Sequence, residues 1–136
     1  MTHNSVVSDI IKKNRGTVIK WLGDGIMETF SEKNILTSIK ASVEIQRFFS
    51  EYNKDKAKDD QINTKIGISV GRCLDISSVG NSTNDLMGIL VDKSSRIQSI
   101  AKPKQILIDN DMRKKISVLT KNMKMKQILK KFKNFF

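Results

Sequence analysis

The chain has few of the residues that most often carry chemistry. Of its 136 residues one is cysteine, Cys73, which excludes an internal disulfide framework and sets the expectation of a reducing, cytoplasmic compartment. One is histidine, His3, near the N-terminus, so neither a His-rich metal site nor a Ser-His-Asp triad is readable. No apolar run approaches a membrane span, and the N-terminal stretch lacks the apolar segment of a signal peptide. The chain holds no G-x-G-x-x-G and no G-x-x-x-x-G-K-[ST], which removes the Rossmann and P-loop nucleotide sites. Any chemistry must use carboxylates, lysines and arginines.

What is present is charge, unevenly placed. The formal net charge is +11. Residues 101–136 hold eleven Lys/Arg against Asp109 and Asp111, a local +9, whereas the first hundred residues hold fourteen basic against twelve acidic groups, a local +2. A high pI concentrated in a tail is poor support for a nucleic-acid-binding body, and no nucleic-acid partner is expected.

The most informative stretch is Gly16-Thr-Val-Ile-Lys-Trp-Leu-Gly-Asp-Gly-Ile-Met-Glu-Thr-Phe30. Thr17 to Leu22, with β-branched Val18 and Ile19 and aromatic Trp21, predicts one strand; Ile26 to Phe30 predicts a second. Gly23-Asp24-Gly25 between them is a tight-turn signal. Asp24 at that tip suits a solvated turn, and it equally suits a hard cation and the phosphates that travel with it.

Before this hairpin, Asn4 or Ser5 can cap a helix to about Asn14, with Val6, Val7, Ile10 and Ile11 on its apolar face and Gly16 as its stop. After it, Ser31 can cap a helix over Ile35 to Tyr52, whose stripe of Leu36, Ile39, Val43 and Phe49 predicts a buried face. Residues 53–60 read as a charged surface loop. Thr64 to Gly71 alternates strictly, with Ile66, Ile68 and Val70 on one side, and its two glycines predict close approach by another backbone or a ligand. A Ser/Asn/Gly-rich loop, a helix over about Leu86 to Ala101, a break at Lys102-Pro103-Lys104, a short strand Gln105 to Asp109 and a helix capped by Asp109 complete the body. Alternating strands and helices with one tight hairpin predict a mixed sheet with helices packed on it.

Four segments in this order resemble motifs of the class III adenylate/guanylate cyclase catalytic domain. The hairpin resembles the family's GG-x-V-x-K-x-x-GD-G-x-x-x-x-F. Lys65-Ile-Gly-Ile-Ser-Val-Gly71 resembles R-I-G-I-x-x-G. Asp85-Leu-Met-Gly-Ile-Leu-Val-Asp-Lys-Ser-Ser-Arg96 resembles D-x-x-G-x-x-V-N-x-A-x-R, and Ala101-Lys-Pro-Lys-Gln-Ile-Leu-Ile108 resembles A-x-P-G-Q-I-L-V. Together they span about residues 4 to 117.

The resemblance implies an α+β fold, a ferredoxin-like, palm-type α/β sandwich, here lacking the family's first strand and helix. Residues 1–117 would be a partial catalytic domain and 118–136 a basic amphipathic tail. It implies conversion of ATP or GTP to a 3′,5′-cyclic nucleotide and pyrophosphate, by in-line attack of the ribose 3′-oxygen on the α-phosphate with two divalent metals, Mg2+ or Mn2+. It also implies a head-to-tail dimer, either a homodimer or a heterodimer with a complete cyclase.

Residue by residue, Asp24 matches a metal-binding aspartate. Lys20 matches the purine-selecting position, Lys in enzymes for ATP, where an ammonium can donate to adenine N1; this favours ATP over GTP. Asp85 matches the second purine-reading position and equally suits a helix N-cap. Arg96 matches the arginine that stabilises charge on the transferring phosphate, and equally suits a surface arginine. Two positions depart from the pattern. The family's other metal aspartate, expected on an earlier strand, has no counterpart before the hairpin. The family's transition-state asparagine falls on Asp92, whose carboxylate would repel a triphosphate. A milder departure is Lys104, where the family has glycine. The resemblance thus leaves two expectations: an adenylate-type cyclase, or an inactive cyclase-like module that binds nucleotide or pairs with a complete cyclase. In the tail, Met125, Ile128, Leu129, Phe132 and Phe136 fall on one helical face among lysines, which fits a terminal covering helix or a weak contact with an anionic membrane.

Overall fold

A computed structural model of the chain describes residues 3–23, 25–71 and 83–121; of Leu22 and residues 83–89 it describes the backbone only. These residues form two compact units, one ending at Thr64 and the other beginning at Lys65.

The first unit opens with helix α1 (His3–Lys13), followed by strands β1 (Thr17–Leu22) and β2 (Gly25–Thr29), a 3-10 turn Glu32–Asn34 and helix α2 (Ile35–Tyr52). Val7, Ile10 and Ile11 of α1 meet Ile35, Ile39, Ala41, Val43, Ile45 and Phe49 of α2 in its buried core. The apolar spacing in both helices is what aligns these side chains on one face. Polar groups close the core's edges. Asn14, buried, donates from Nδ2 to the Ile10 carbonyl at 2.8 Å and to Glu44 Oε2 at 3.1 Å. Lys13 meets Glu44 Oε1 at 2.8 Å, and this bond holds the Glu44 carboxyl below its ordinary value. His3 is structural: its ring stacks on Phe49 at 5.1 Å and its Nε2 lies 2.9 Å from Thr64 Oγ1.

α1 ends differently from the expected glycine stop. Arg15 N–H donates to Lys12 O and Gly16 N–H to Ile11 O, the paired bonds of a Schellman motif, and Arg15 itself takes the left-handed conformation at φ 66°. Gly16 is needed for another reason. A Cβ there would fall 2.7 Å from both Ile11 Cγ2 and Phe30 Cζ. The charged stretch after α2 forms two 3-10 turns, Asn53–Asp55 and Lys58–Asp60. Buried Asn53 mimics a strand partner there, donating to Ile62 O and accepting from Ile62 N, both at 2.8 Å.

The second unit contains β3 (Ile66–Ile68), α3 (Thr83–Ile100), β4 (Ile106–Ile108) and α4 (Asn110–Leu119). β3 and β4 pair in parallel, Ile66 with Ile106 and Ile68 with Ile108, and α3 packs against β3. Instead of one mixed sheet, the described residues hold two two-stranded sheets, antiparallel β1-β2 and parallel β3-β4. The strand predicted over 64–71 pairs only through Ile66–Ile68, because β4 offers only three partners. The break before β4 is a turn in which Gln105 N–H donates to Lys102 O at 3.0 Å. Pro103 leads it and Lys104 occupies the left-handed position at φ 69°, the third-position conformation of a type II turn. Asp109 caps α4 as predicted, accepting at Oδ1 from the Met112 amide at 2.8 Å. The tail from 122 onward, and the Ser/Asn/Gly-rich loop up to residue 82, lie outside the described residues.

Candidate functional site

The hairpin is built by alternation with one interruption. Val18 faces Glu28 and Lys20 faces Met27, so Ile19 is an extra residue on β1, a β-bulge. A bulge reverses the sense of alternation, so Val18 and Lys20, two apart in sequence, take opposite faces. Register then places Val18, Trp21, Ile26 and Glu28 on one face and Lys20 with Met27 on the other. Leu22 pairs with Gly25, and Gly23 adopts φ 60°, so the turn has the tight geometry that its glycine predicts. Lys20 is exposed. Asp24 lies outside the described residues. Trp21 is 51% exposed.

Glu28 is a feature the sequence reading passed over. Its Oε2 is buried without a hydrogen-bond partner, and burial pushes its carboxyl from 4.5 up to about 7. The signal was available: Ile26, Glu28 and Phe30 share one parity of a strand, which puts a carboxylate on an apolar face.

In the second unit, Asp92 and Arg96 stand one turn apart on α3, both exposed. Asp85 belongs to the same helix, but α3 begins at Thr83, so Asp85 lies inside the first turn and is not its N-cap. Its side chain is outside the description. Lys93, between Asp92 and Arg96 in sequence, pairs with Asp109 Oδ2 at 2.6 Å and Asp111 Oδ2 at 3.2 Å, which hold its ammonium above the ordinary value, Asp109 foremost. This clamps α3 to the start of α4. The close approach predicted from the strand glycines is real at Gly67, where a Cβ would overlap the backbone of Gln98 in α3.

Among the described residues, then, Asp92 and Arg96 share one helix, while Lys20 belongs to the first unit. No group of three or more His, Cys, Asp or Glu side chains that could hold a metal ion occurs among them. Since Asp24 falls outside them, its metal role rests on the sequence match. Two open grooves of the first unit are lined by α1, α2 and the following turn, around Asp9, Glu44 and Phe48 in one and Phe48, Glu51 and Tyr52 in the other, with no predicted site residue in either. No described helix is long and apolar enough to cross a membrane.

An α+β chain with this hairpin, this βαβ unit and these motifs defines a nucleotidyl cyclase class of fold. The chain belongs to the adenylate and guanylate cyclase catalytic domain family, whose profile matches residues 1–132. Among solved structures it is similar to an adenylate/guanylate cyclase/hydrolase from Silicibacter pomeroyi, with TM-score 0.64 and 19% identity over 82% of this chain and 62% of that one. It is also similar to the guanylyl cyclase Cya2, with TM-score 0.60 and 22% identity over 83% of this chain and 62% of that one. At such identities the likeness speaks to the fold, and this chain covers less than two thirds of either structure. No curated protein sequence matches it significantly.

Proposed function

We propose that the chain is an adenylate-type class III cyclase domain, acting on ATP to give 3′,5′-cyclic AMP and pyrophosphate in cyclic-nucleotide signalling. The observation that carries this reading is Lys20: exposed on β1, with no ion-pair partner among the described residues, four positions before Asp24. An exposed ammonium there is suited to donate to adenine N1, and it would meet a like donor in the N1–H of guanine. The Asp85 carboxylate would accept from the adenine amino group. The exposed guanidinium of Arg96 would stabilise charge on the transferring phosphate. A divalent cation, Mg2+ or Mn2+, supplies neutralisation of the triphosphate when bound, and Asp24 would be its ligand from this chain. Pairing with a second chain, identical or a complete cyclase, belongs to the same reading.

A second reading is supported by Asp92. Its exposed carboxylate occupies the position where the family pattern has asparagine, and it would repel the triphosphate that Arg96 attracts. On this reading the chain binds nucleotide or a cyclase without turning ATP over. The test is cyclic AMP formation by purified chain with Mn-ATP, alongside ATP binding by calorimetry. Turnover that disappears in Asp24→Ala supports the enzyme. Binding without turnover, weakened by Lys20→Glu, supports the module. Neither turnover nor binding removes both.

A further inference from the structure

Helix α3 is fixed in one rotation about its axis. Gly67 of β3 lies against the Ser94 carbonyl oxygen and the Gln98 backbone, and Leu90 Cδ2 fills the space that a Cβ on Gly71 would need. Lys93 turns aside to Asp109 and Asp111. These contacts commit Leu90, Ser94 and the Gln98 backbone to the strand side. The outward side is left to Asp92, Ser95, Arg96 and Ser99, at the i, i+3, i+4, i+7 spacing of one helical face, and all four are exposed.

On this face a carboxylate and a guanidinium stand side by side without meeting. Cβ atoms four residues apart on a helix lie about 5–6 Å from each other, and an acidic residue four before a basic one is the order that favours a pair. Asp92 and Arg96 nevertheless form no ion pair, and neither side chain has a partner among the described residues. Lys93, the nearest cation in sequence, is already taken up by two carboxylates. The face therefore offers one open negative and one open positive group, adjacent to each other. A bare triphosphate suits only the second of them. A triphosphate carrying a divalent ion suits both. Mg2+ and Mn2+ are hard cations, and Mg2+ commonly takes one or two carboxylates together with substrate phosphates, with water in the remaining positions. A single carboxylate on this face is enough for that.

We propose that Asp92 is a further ligand for the divalent cation of a metal–nucleotide complex, with Arg96 beside it on the phosphate oxygens. The carboxylate then acts in two directions. It repels the nucleotide without metal and holds the nucleotide with metal. The asparagine of the family motif, being uncharged, does neither with a full charge. This inference rests on the nucleotide-binding part of the function proposed above, and not on whether ATP is turned over.

The test uses the full chain and 3′-deoxy-ATP, which lacks the attacking oxygen, so that binding is measured without turnover. Affinity is read by calorimetry in excess Mn2+ and in EDTA, for the unmodified chain, Asp92→Asn and Arg96→Gln. The expected result is a crossed response. Asp92→Asn binds the Mn2+ complex about tenfold more weakly, the scale of one charged contact, and binds the metal-free nucleotide more tightly. Arg96→Gln weakens both. Asp92 is exposed and asparagine has nearly its shape, so thermal melts of this variant should match those of the unmodified chain. The proposal is overturned if Asp92→Asn strengthens binding in both conditions, which is repulsion alone, if it changes neither, or if the unmodified chain binds in neither condition. Cyclic AMP formation from Mn-ATP is scored separately. A crossed response without turnover keeps this inference and removes the enzyme. Turnover together with a gain in both conditions keeps the enzyme and removes this inference.

Discussion

Gly67 of β3 lies directly against Gln98 of α3: a Cβ on the glycine would sit 2.7 Å from the Gln98 Cα and equally near the Ser94 carbonyl oxygen. Both obstacles are backbone, which cannot swing aside as a side-chain tip does. The helix pinned by this contact is the one that carries Asp92 and Arg96.

Gly67→Ala is therefore expected to lift α3 from β3 and to destabilise the chain by about 1–3 kcal/mol, the usual cost of overpacking. Thermal unfolding followed by circular dichroism measures the loss. Amide chemical shifts over residues 94–100 should move with it, and an unchanged melting temperature would mean that α3 sits farther from the strand.

Lys93 and Asp109 tie the same helix to the start of α4. Asp109→Ala removes both this ion pair and the cap on α4, and a loss of about 1–2 kcal/mol is expected, most of it from the cap. Lys93→Met leaves the cap in place and removes the part-exposed pairs with Asp109 and Asp111, together worth about 1 kcal/mol. Because the Lys93 ammonium is held above its ordinary value of 10.5, the contribution of the pair is complete at neutral pH and is lost only as pH rises beyond 10.5. Urea melts of the two variants at neutral pH should rank them in that order.

Two side chains occupy backbone conformations that glycine adopts without strain. Lys104 at φ 69° stands where the family motif has glycine, and Arg15 at φ 66° closes α1. Lys104→Gly and Arg15→Gly should each stabilise the chain by about 1 kcal/mol through relief of the left-handed strain, less the greater entropy of glycine in the unfolded chain. The two positions lie in separate units, so the gains should add in the double variant.

Glu28 makes stability depend on pH in a direction opposite to that of a salt-bridged carboxylate. Its carboxyl stays protonated in the folded chain to about pH 7 but ionises near 4.5 when unfolded. The contribution is thus complete below pH 4.5, declines between about 4.5 and 7, and is gone above. A displacement from 4.5 to about 7 corresponds to about 3 kcal/mol as an upper figure. Glu28→Gln should be more stable than the unmodified chain at pH 8 and nearly equal to it at pH 4, measured by denaturant melts at both. Equal stabilities at pH 8 would mean that water reaches the carboxylate.

Much of the fold could be read from residue order, for identifiable reasons. α2 runs over Ile35–Tyr52 as its apolar stripe predicts, since a long amphipathic helix repeats its message every turn. Asp109 caps α4 because a short acceptor before a helical run has few other uses. The bulge at Ile19 was not legible, because one extra residue in a β-branched run leaves no compositional mark until a partner strand fixes the register. The helix stop was legible as a place and not as a residue: Gly16 announces it, but crowding by Ile11 and Phe30 is what requires glycine there. In the site, the sequence named Lys20, Asp92 and Arg96, all three exposed, and missed Glu28, whose importance comes from burial and not from a motif.

The parallel pairing of β3 with β4 has a consequence for how the chain is made. Helices α1 and α2 and the hairpin draw their mutual contacts from residues 3–64, all of which are synthesised before β4. Ile66 must wait for Ile106, with the whole of α3 translated between them. A strand left without its partner for that interval pairs with whatever is near, and the loop-closure entropy that delays it is largest where the partner is distant in sequence. The order of synthesis thus favours an early, self-contained N-terminal half and leaves β3 as the segment most in need of protection while the chain is still emerging.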